Sequence, residues 1–194
     1  MDRPLILYLH GFCSSPQSWK ARLLADRLAA LGLAERFHCP ALSPVPAEAL
    51  AAAEAILARA AGPVTLIGSS LGGHYATYLA EKHGLRAALI NPAVIDRLDA
   101  GRFIGEHANF HSGERFRFTV GHAEQLAQQF VARPTPARYL LLVESGDEVL
   151  DYRHAVDHYA GCRQIVLPGG DHSFTRFPEF IPQLLEFAEV HAGL

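Results

Sequence analysis

The sequence predicts an α/β fold, a three-layer α/β/α sandwich built around a mostly parallel sheet of about six strands. Short apolar runs alternate along the chain with segments of helical periodicity, which is the pattern that such sheets produce. The first run, Leu5-Ile6-Leu7-Tyr8-Leu9, is apolar at every position, as expected of a strand buried on both faces. The chain has 194 residues, 49% hydrophobic and 19% charged, so its length and composition fit one globular domain.

In the first half of the chain, the helical segments are bounded by residues that start or stop helices. Apolar residues at helical spacing run from Trp19 to Leu31 and stop at Gly32. An Ala- and Glu-rich segment begins at Pro46 and ends before Gly62, and Gly84 closes the next helix. The predicted elements are a strand at 5–9, a helix at 18–31, a weak strand at 37–39, a helix at 46–61, a strand at 64–67, a helix at 71–83 and a strand at 86–90 that Asn91-Pro92 stops.

The segment from Ala93 to Phe118 has few periodic signals and contains several phenylalanines together with Gly101, Gly105 and Gly113. An irregular stretch of this length inside a compact domain is usually functional or a small subdomain. Regular patterns return beyond it. The predicted elements there are a helix at 121–132, a strand at 138–143, a helix at 151–159, a strand at 163–167 and a helix at 178–191.

Composition and charge exclude several classes of protein. The formal net charge is −3, which gives no basic surface for nucleic acid, and no apolar run approaches the ~20 residues of a membrane span. The three cysteines, Cys13, Cys39 and Cys162, match no zinc or CxxC spacing and are predicted to be reduced thiols. The apolar segment at 5–9 is too short for a signal peptide, so we expect a cytoplasmic protein without a nucleic-acid or membrane partner. The oligomeric state stays open.

A serine-containing turn is the main candidate for chemistry. Gly68-Ser69-Ser70-Leu71-Gly72 fits the G-x-S-x-G pattern, follows a predicted strand and opens a predicted helix. A nucleophile elbow requires this strand–turn–helix setting. It also requires the two glycines, because the turn is so sharp that side chains there would collide with neighbouring elements. Ser70 is therefore the predicted nucleophile. The alternative is a Gly/Ser-rich turn that only packs closely or binds an anion.

A serine hydroxyl needs a base, and the base needs an orienting carboxylate, in the chain order Ser, Asp or Glu, His. Asp147 lies in a glycine-containing loop after a predicted strand and is the preferred carboxylate. Its rivals are Glu144, which we expect still on the strand, Glu148, and Asp151, which we expect to cap the next helix. His172 lies at the tip of a glycine-containing loop after the last predicted strand and is the predicted base.

Acyl transfer also needs hydrogen-bond donors for a developing oxyanion. The candidates are the N–H of Leu71, which follows the predicted nucleophile, and the N–H of Phe12, in the loop after the first strand. We expect His10 to be held by backbone hydrogen bonds at the strand end. If the strand at 37–39 pairs outside the first strand, these groups flank the point where the strand order reverses, where such sheets bind ligands. The residues assigned to substrate binding are Cys13, Ser69 and Asn91.

Several motifs carry a resemblance to a known family. They are Leu7-Tyr8-Leu9 with Gly11-Phe12 and Ser14-Ser15-Pro16, Ile67 to Gly73 with Tyr75-Ala76-Thr77, Asn91-Pro92-Ala93-Val94, Gly146 to Arg153, and Gly169-Gly170 with His172 and Phe174-Thr175. On these motifs the chain resembles the α/β-hydrolases, and more narrowly the small bacterial YqiA-like esterases, over nearly its whole length. Two residues depart from the family pattern: Cys13 and Asp171 stand where such proteins often have Asn.

The resemblance implies hydrolysis of carboxylic esters, or of acyl thioesters, by Ser70, Asp147 and His172, on a small-molecule substrate and with no metal or organic cofactor. It also implies a single domain over residues 1–194, in which the two N-terminal antiparallel strands of larger members are absent and 93–118 is a reduced cap. The cap phenylalanines are expected either to line an acyl pocket or to pack the cap onto the body. They are Phe103, Phe110, Phe116 and Phe118. A non-catalytic small-molecule binder on the same fold is the alternative from another class.

Overall fold

The computed structural model describes residues 4–190, which contain eight strands and six α-helices. In chain order the elements are β1 (Leu5–Leu9), α1 (Trp19–Ala30), β2 (Phe37–His38), α2 (Pro46–Leu57), β3 (Val64–Ser69), α3 (Leu71–His83), β4 (Arg86–Ile90), β5 (Gly105–Ala108), β6 (Arg115–Phe118), α4 (Val120–Gln128), β7 (Tyr139–Glu144), α5 (Tyr152–His158), β8 (Arg163–Leu167) and α6 (Phe177–Phe187). Short 3₁₀ helices lie at Ala34–Arg36, Ile95–Arg97, Ala100–Phe103 and Pro136–Arg138.

Six of the strands form one sheet in the order β2-β1-β3-β4-β7-β8, and every neighbouring pair in it is parallel. The strand order reverses at β1, because β2 pairs outside it while β3 pairs on its other side, as the sequence predicts. All six carboxyl ends therefore lie at one edge of the sheet, where ligands bind in folds of this kind. The predicted α/β class and its mostly parallel sheet are confirmed.

The sheet separates two hydrophobic cores, one on each face. In β1, Ile6 and Tyr8 join the core formed with α1 and α6, whereas Leu7 and Leu9 join the core formed with α2 and α3. Every residue of β7 is buried, as expected of a central strand that is covered on both faces. Helices on both faces of one sheet give the three layers that the alternating pattern predicts.

The segment at 93–118 is more regular than predicted, because it contains an antiparallel hairpin. β5 and β6 pair from Gly105 opposite Phe118 to Ala108 opposite Arg115. The Arg-Phe-Arg-Phe sequence of β6 alternates polar and apolar residues, which is a signal of a half-buried strand. The Gly-Glu-His-Ala sequence of β5 carries no comparable signal, since it holds no β-branched residue. We call residues 105–118 the cap hairpin.

The helices are mostly shorter at their C-terminal ends than predicted. Helix α2 ends at Leu57 and α4 at Gln128, each four residues before the predicted end. Helix α6 ends at Phe187, and the predicted end at 191 lies outside the described residues. None of the helices within residues 4–190 combines the length and the apolar character that a membrane crossing requires.

Candidate active site

The predicted nucleophile lies at a strained turn between β3 and α3. Ser70 has a φ of 55° and a ψ of −124°, a backbone conformation that favours glycine. Its N–H donates to the carbonyl of Ile90 (3.0 Å), and its carbonyl accepts from the N–H groups of Gly73 (2.9 Å) and Ala93 (3.0 Å). Because these bonds hold the residue on both sides, it keeps a conformation that costs roughly 1–3 kcal/mol.

The two glycines of the motif are required by close backbone approach. A side chain at Gly72 would overlap the carbonyl of Leu9 in β1, and one at Gly68 would overlap the carbonyl of Gly72. The start of α3 therefore rests directly against the end of β1. This contact brings the loop after β1 next to the serine.

The structure brings Ser70, His172 and Asp147 together in one chain of hydrogen bonds. The Ser70 Oγ lies 3.0 Å from His172 Nε2, and His172 Nδ1 lies 2.8 Å from Asp147 Oδ2. A carboxylate can only accept, so the imidazole proton is on Nδ1 and Nε2 is free to accept from the serine hydroxyl. The His172 side chain is 21% exposed and can meet a ligand, whereas that of Asp147 is 2% exposed.

The carboxylate of Asp147 is held by its own loop. Its Oδ1 accepts from the N–H groups of Val149 (2.9 Å) and Leu150 (2.8 Å), so only Oδ2 faces the histidine.

The three alternative carboxylates lie away from the imidazole nitrogens of His172. Glu144 ends β7, and Asp151 caps α5 by accepting from the N–H of Arg153 (3.0 Å), both as expected. The side chain of Glu148 accepts from the backbone N–H of His172 (3.0 Å) and does not contact the ring nitrogens.

Phe12 and Leu71, whose amides are predicted to bind an oxyanion, line one cavity together with Ser70. Leu71 is the first residue of α3, where an N–H has no acceptor in its own helix. Phe12 follows Gly11, and a Cβ built on that glycine would lie 3.5 Å from Ser70 Oγ. Within residues 4–190, neither amide donates a hydrogen bond to another protein group.

His10 serves the backbone, as expected. Its Nε2 accepts from the N–H of Leu42 (3.1 Å), and its Nδ1 lies 3.0 Å from the carbonyl of Gly11, to which it donates. The side chain is buried, and burial lowers its pKa below the ordinary value. A neutral imidazole with both nitrogens occupied has no free group for chemistry.

The three residues assigned to substrate binding do not share one role. Cys13 lines a cavity beside the site, whereas Ser69 and Asn91 are 6% and 2% exposed and line no cavity at the site. Asn91 Nδ2 donates to the carbonyls of Asp171 (3.1 Å) and His172 (3.3 Å), and its Oδ1 accepts from the N–H of Glu144 (3.0 Å). Because both polar atoms of its side chain bond inside the protein, Asn91 holds the histidine loop, which differs from the substrate contact that the sequence predicts.

Sequence reasoning missed a buried polar cluster below the loop at 168–176, which carries His172. The fully buried Glu144 accepts from the N–H of Asp171 (2.9 Å) through Oε2 and from Arg176 Nε (2.6 Å) through Oε1. Lys20 Nζ donates to the carbonyl of Ser173 (2.6 Å), and burial lowers the pKa of this lysine to about 8. The signals in the sequence were Glu144 at the end of the apolar strand β7 and Lys20 on the apolar face of α1.

We expect Glu144→Gln to lower the free energy of unfolding by about 2 kcal/mol, because hydrogen bonds to charged groups contribute about this much. Both present partners of the carboxylate are donors, and a glutamine has only one acceptor oxygen to offer them. Urea denaturation measures the change. The matched control is Asp151→Asn, which removes an exposed carboxylate and keeps an equally good helix cap. Equal shifts for the two variants would contradict the prediction.

An apolar cavity of about 250 Å³ opens at Ser70 and His172. Its wall includes three of the four cap phenylalanines, Phe103, Phe110 and Phe118. Of the two roles expected for them, lining a pocket fits these three residues. The fourth, Phe116, lines a neighbouring and more polar cavity of about 270 Å³ on the other side of the loop after β1. The remaining residues around the first cavity are Phe12, Leu71, Ala93, Ile95, Leu98, Ala100, Leu126, Val149 and Leu150.

Nearly the whole chain, residues 5–189, matches a family described as "Uncharacterised protein family (UPF0227)". The chain belongs to the UPF0227 family. Ser70, Asp147 and His172 all lie inside the matched range. The resemblance to YqiA-like proteins that the motifs indicate is thereby confirmed at the level of the family.

Solved structures from several organisms share the fold of this UPF0227 chain. A protein from Agrobacterium vitis S4 has a TM-score of 0.77 at 22% identity, over 96% of this chain and 88% of that one. Alpha/beta hydrolase domain-containing protein 10 from mouse has a TM-score of 0.72 at 17% identity, with 95% and 89% covered. The esterase domain of a Rhodothermus marinus protein has a TM-score of 0.67 at 21% identity, with 98% and 89% covered. These similarities show that the chain has the α/β-hydrolase fold.

Proposed function

We propose that this UPF0227 chain is a serine hydrolase that cleaves carboxylic esters through an acyl-enzyme on Ser70. The observation that carries the proposal is the continuous hydrogen-bond chain from Ser70 through His172 to Asp147, open to a cavity at the serine end. A nucleophile, a base and an orienting group within hydrogen-bond reach are the requirements of this chemistry. The names of two fold neighbours, a hydrolase-domain protein and an esterase domain, agree with it.

Acylation starts as the Ser70 oxygen attacks the acyl carbon of the ester. His172 Nε2 takes the hydroxyl proton, and Asp147 stabilises the imidazolium that forms. The carbonyl electron pair moves onto its oxygen, where the N–H groups of Phe12 and Leu71 stabilise the negative charge. When the intermediate collapses, the bond to the leaving alkoxide breaks and His172 returns its proton to the leaving oxygen.

Deacylation repeats these steps with water. His172 takes a proton from the water as its oxygen attacks the acyl carbon, and the same two amides stabilise the second oxyanion. The bond to the Ser70 oxygen then breaks, the proton returns to that oxygen, and the carboxylic acid leaves. No metal or organic cofactor enters the proposed cycle.

The cavity supports a small-molecule substrate with an apolar acyl group. Its wall is formed almost entirely by aliphatic and aromatic side chains, and burial of an acyl chain against them is favourable by about 0.8 kcal/mol for each CH₂ group. Its volume of about 250 Å³ exceeds the roughly 150 Å³ of a cavity that holds benzene, so a medium-length or aromatic acyl group fits.

A cytoplasmic location stays a prediction from the sequence.

An acyl-thioester substrate is the second candidate. The same triad would attack a thioester, and exposed arginines on β6, Arg115 and Arg117, face solvent where the phosphates of a CoA leaving group could pair with them. Rates measured side by side on an oxygen ester and a CoA thioester of the same acyl chain distinguish the two candidates.

We expect a fluorophosphonate probe to label the folded protein at Ser70, because the probe reacts with a serine that a histidine activates and its phosphoryl oxygen uses the oxyanion donors. Intact mass and peptide mapping locate the adduct. Ser69→Ala is the control for the neighbouring hydroxyl and should be labelled, whereas Ser70→Ala should not. A folded protein that resists the probe would favour a non-catalytic small-molecule binder on this fold.

A further inference from the structure

The loop that carries the Phe12 amide, residues 10–15, contains a second strained residue. Cys13 directly follows Phe12 and has a φ of 56°, in the left-handed region that residues other than glycine and asparagine seldom adopt. Such a conformation persists only where surrounding contacts fix it. The position of the Phe12 N–H therefore depends on what holds the loop at Cys13 and beyond.

One of these contacts lies inside the loop, where the Ser14 N–H donates to the Gly11 carbonyl (3.3 Å), and the cap hairpin supplies two more. The backbone N–H of Phe110 donates to the carbonyl of Cys13 (2.8 Å), and Asn109 Nδ2 donates to the carbonyl of Ser14 (2.7 Å). Two successive residues at the hairpin tip thus bind two successive carbonyls of the loop. These are the only hydrogen bonds that the described residues show between the hairpin and this loop.

The same asparagine also folds the hairpin tip. Its Oδ1 accepts from the N–H groups of His111 (2.9 Å) and Ser112 (3.1 Å), while its own N–H donates to the carbonyl of Glu114 (2.9 Å). The side-chain oxygen therefore serves the turn, and the side-chain nitrogen serves the loop. The two tasks can be separated by substitution, because they use different atoms.

The side chain of Phe12 is fixed by the hairpin as well. Its ring makes edge contacts with Phe116 and Phe118 of β6, at centroid distances of 5.6 and 5.3 Å, and with His107 of β5 at 4.8 Å. Aromatic rings prefer edge-to-face contacts of this kind, which stabilise the pair beyond the area it buries. The ring and the two carbonyls after it are thus all held by one structural unit.

We propose that Asn109 is a positioning residue for the oxyanion hole, and that the cap hairpin sets the geometry of the Phe12 amide in addition to forming one wall of the acyl cavity. The inference rests on the proposed function. An oxyanion donor acts on the transition state more than on bound substrate, so displacement of the loop lowers kcat and leaves KM nearly unchanged. Loss of a cavity wall alone would raise KM instead.

The test variant is Asn109→Asp, which keeps the Oδ1 acceptor for the turn and places an oxygen, in the position of Nδ2, opposite the Ser14 carbonyl. With p-nitrophenyl acetate, which is too small to fill the cavity, we expect about a tenfold lower kcat and a KM within about twofold of the wild-type value. Ser112→Ala is the matched control, since it removes a bond to the Glu114 N–H inside the tip and leaves the loop contacts in place. It should keep the wild-type kcat.

A boronic acid inhibitor gives the second readout, because its tetrahedral adduct on Ser70 uses the oxyanion donors. Its inhibition constant should rise for Asn109→Asp by the same factor as kcat falls, and a simple loss of fold stability would not produce that match. Asn109→Ser, whose hydroxyl can accept in the turn and is too short to reach Ser14, provides a second variant if the aspartate disturbs folding.

Four outcomes would overturn the proposal. An unchanged kcat in both Asn109 variants would show that the loop holds its own geometry. An equal fall of kcat in Ser112→Ala would show that any disturbance of the hairpin tip lowers kcat, so that the Asn109 contact has no role of its own. A rise in KM without a fall in kcat would reduce the hairpin to a cavity wall. If the wild-type protein hydrolysed no ester, as Ser70→Ala is expected not to, the proposed function itself would fail and this inference with it. That result is distinguishable from the first three, in which the wild type is active.

Discussion

Ser70→Ala is expected to lower kcat for p-nitrophenyl ester hydrolysis by about a millionfold, as removal of a serine nucleophile does when the base and the carboxylate remain. The reason is that His172 Nε2, the proposed base, lies 3.0 Å from the Ser70 oxygen, and an alanine leaves it no serine hydroxyl from which to accept a proton. The oxyanion amides and the cavity stay in place, so residual catalysis over water of roughly 10³–10⁴ is expected.

The measurement compares steady-state rates of wild type, Ser70→Ala and Ser69→Ala at equal concentrations of folded protein. Ser69→Ala is the control because it removes the adjacent hydroxyl of the same turn, which is buried and lines no cavity at the site. Robust hydrolysis by Ser70→Ala, at a rate comparable with wild type, would show that Ser70 is not the nucleophile. A residual rate that varies between preparations would instead come from a contaminating esterase.

Asp147→Asn is expected to lower kcat by about 10⁴-fold at neutral pH with little change in KM, because the substitution reverses the histidine tautomer. The Val149 and Leu150 N–H groups, at 2.9 and 2.8 Å, keep the side-chain oxygen of an asparagine on their side. Its NH₂ group then faces His172 Nδ1 and donates to it. The imidazole proton therefore moves to Nε2, the nitrogen that faces Ser70. A protonated Nε2 cannot accept the hydroxyl proton of the serine.

The kcat of Asp147→Asn and of the control Asp151→Asn is measured alongside thermal unfolding. Asp151 belongs to the same loop and caps α5, so its substitution tests the loss of a carboxylate without touching the histidine. If Asp147→Asn kept most of its activity, the orienting carboxylate would have to be a different residue. Glu148 would then be the first to test, because its carboxylate already accepts from the backbone of His172.

The elements that place the triad could be predicted because each has a local signal. The apolar run at 64–67, the two glycines around Ser70 and the periodic helix after them are all visible within a short window, and α3 begins and ends at the predicted residues. The same holds for Asp147 and His172, which follow apolar runs in glycine-containing loops. Once the sheet is parallel, its geometry brings these loops to one edge.

The groups that hold these residues in place could not be predicted, because their partners are distant in the chain. Lys20 meets Ser173, and Asn91 meets the loop of His172, across separations that no pattern in the sequence encodes. The sequence assigns Asn91 to substrate binding, and its contacts with the loop of His172 could not be foreseen from its place in the chain. The cap hairpin was missed for a related reason: β5 has no strand signal of its own and forms only against β6.

At Ser70, the stability of the fold and the proposed chemistry favour different residues. A glycine would adopt the same φ and ψ without steric strain, so the fold alone would favour glycine there. A serine at this turn costs free energy of folding, and under the proposed function its hydroxyl supplies the nucleophile. A glycine at position 70 would therefore relieve the strain and remove the proposed nucleophile in one substitution.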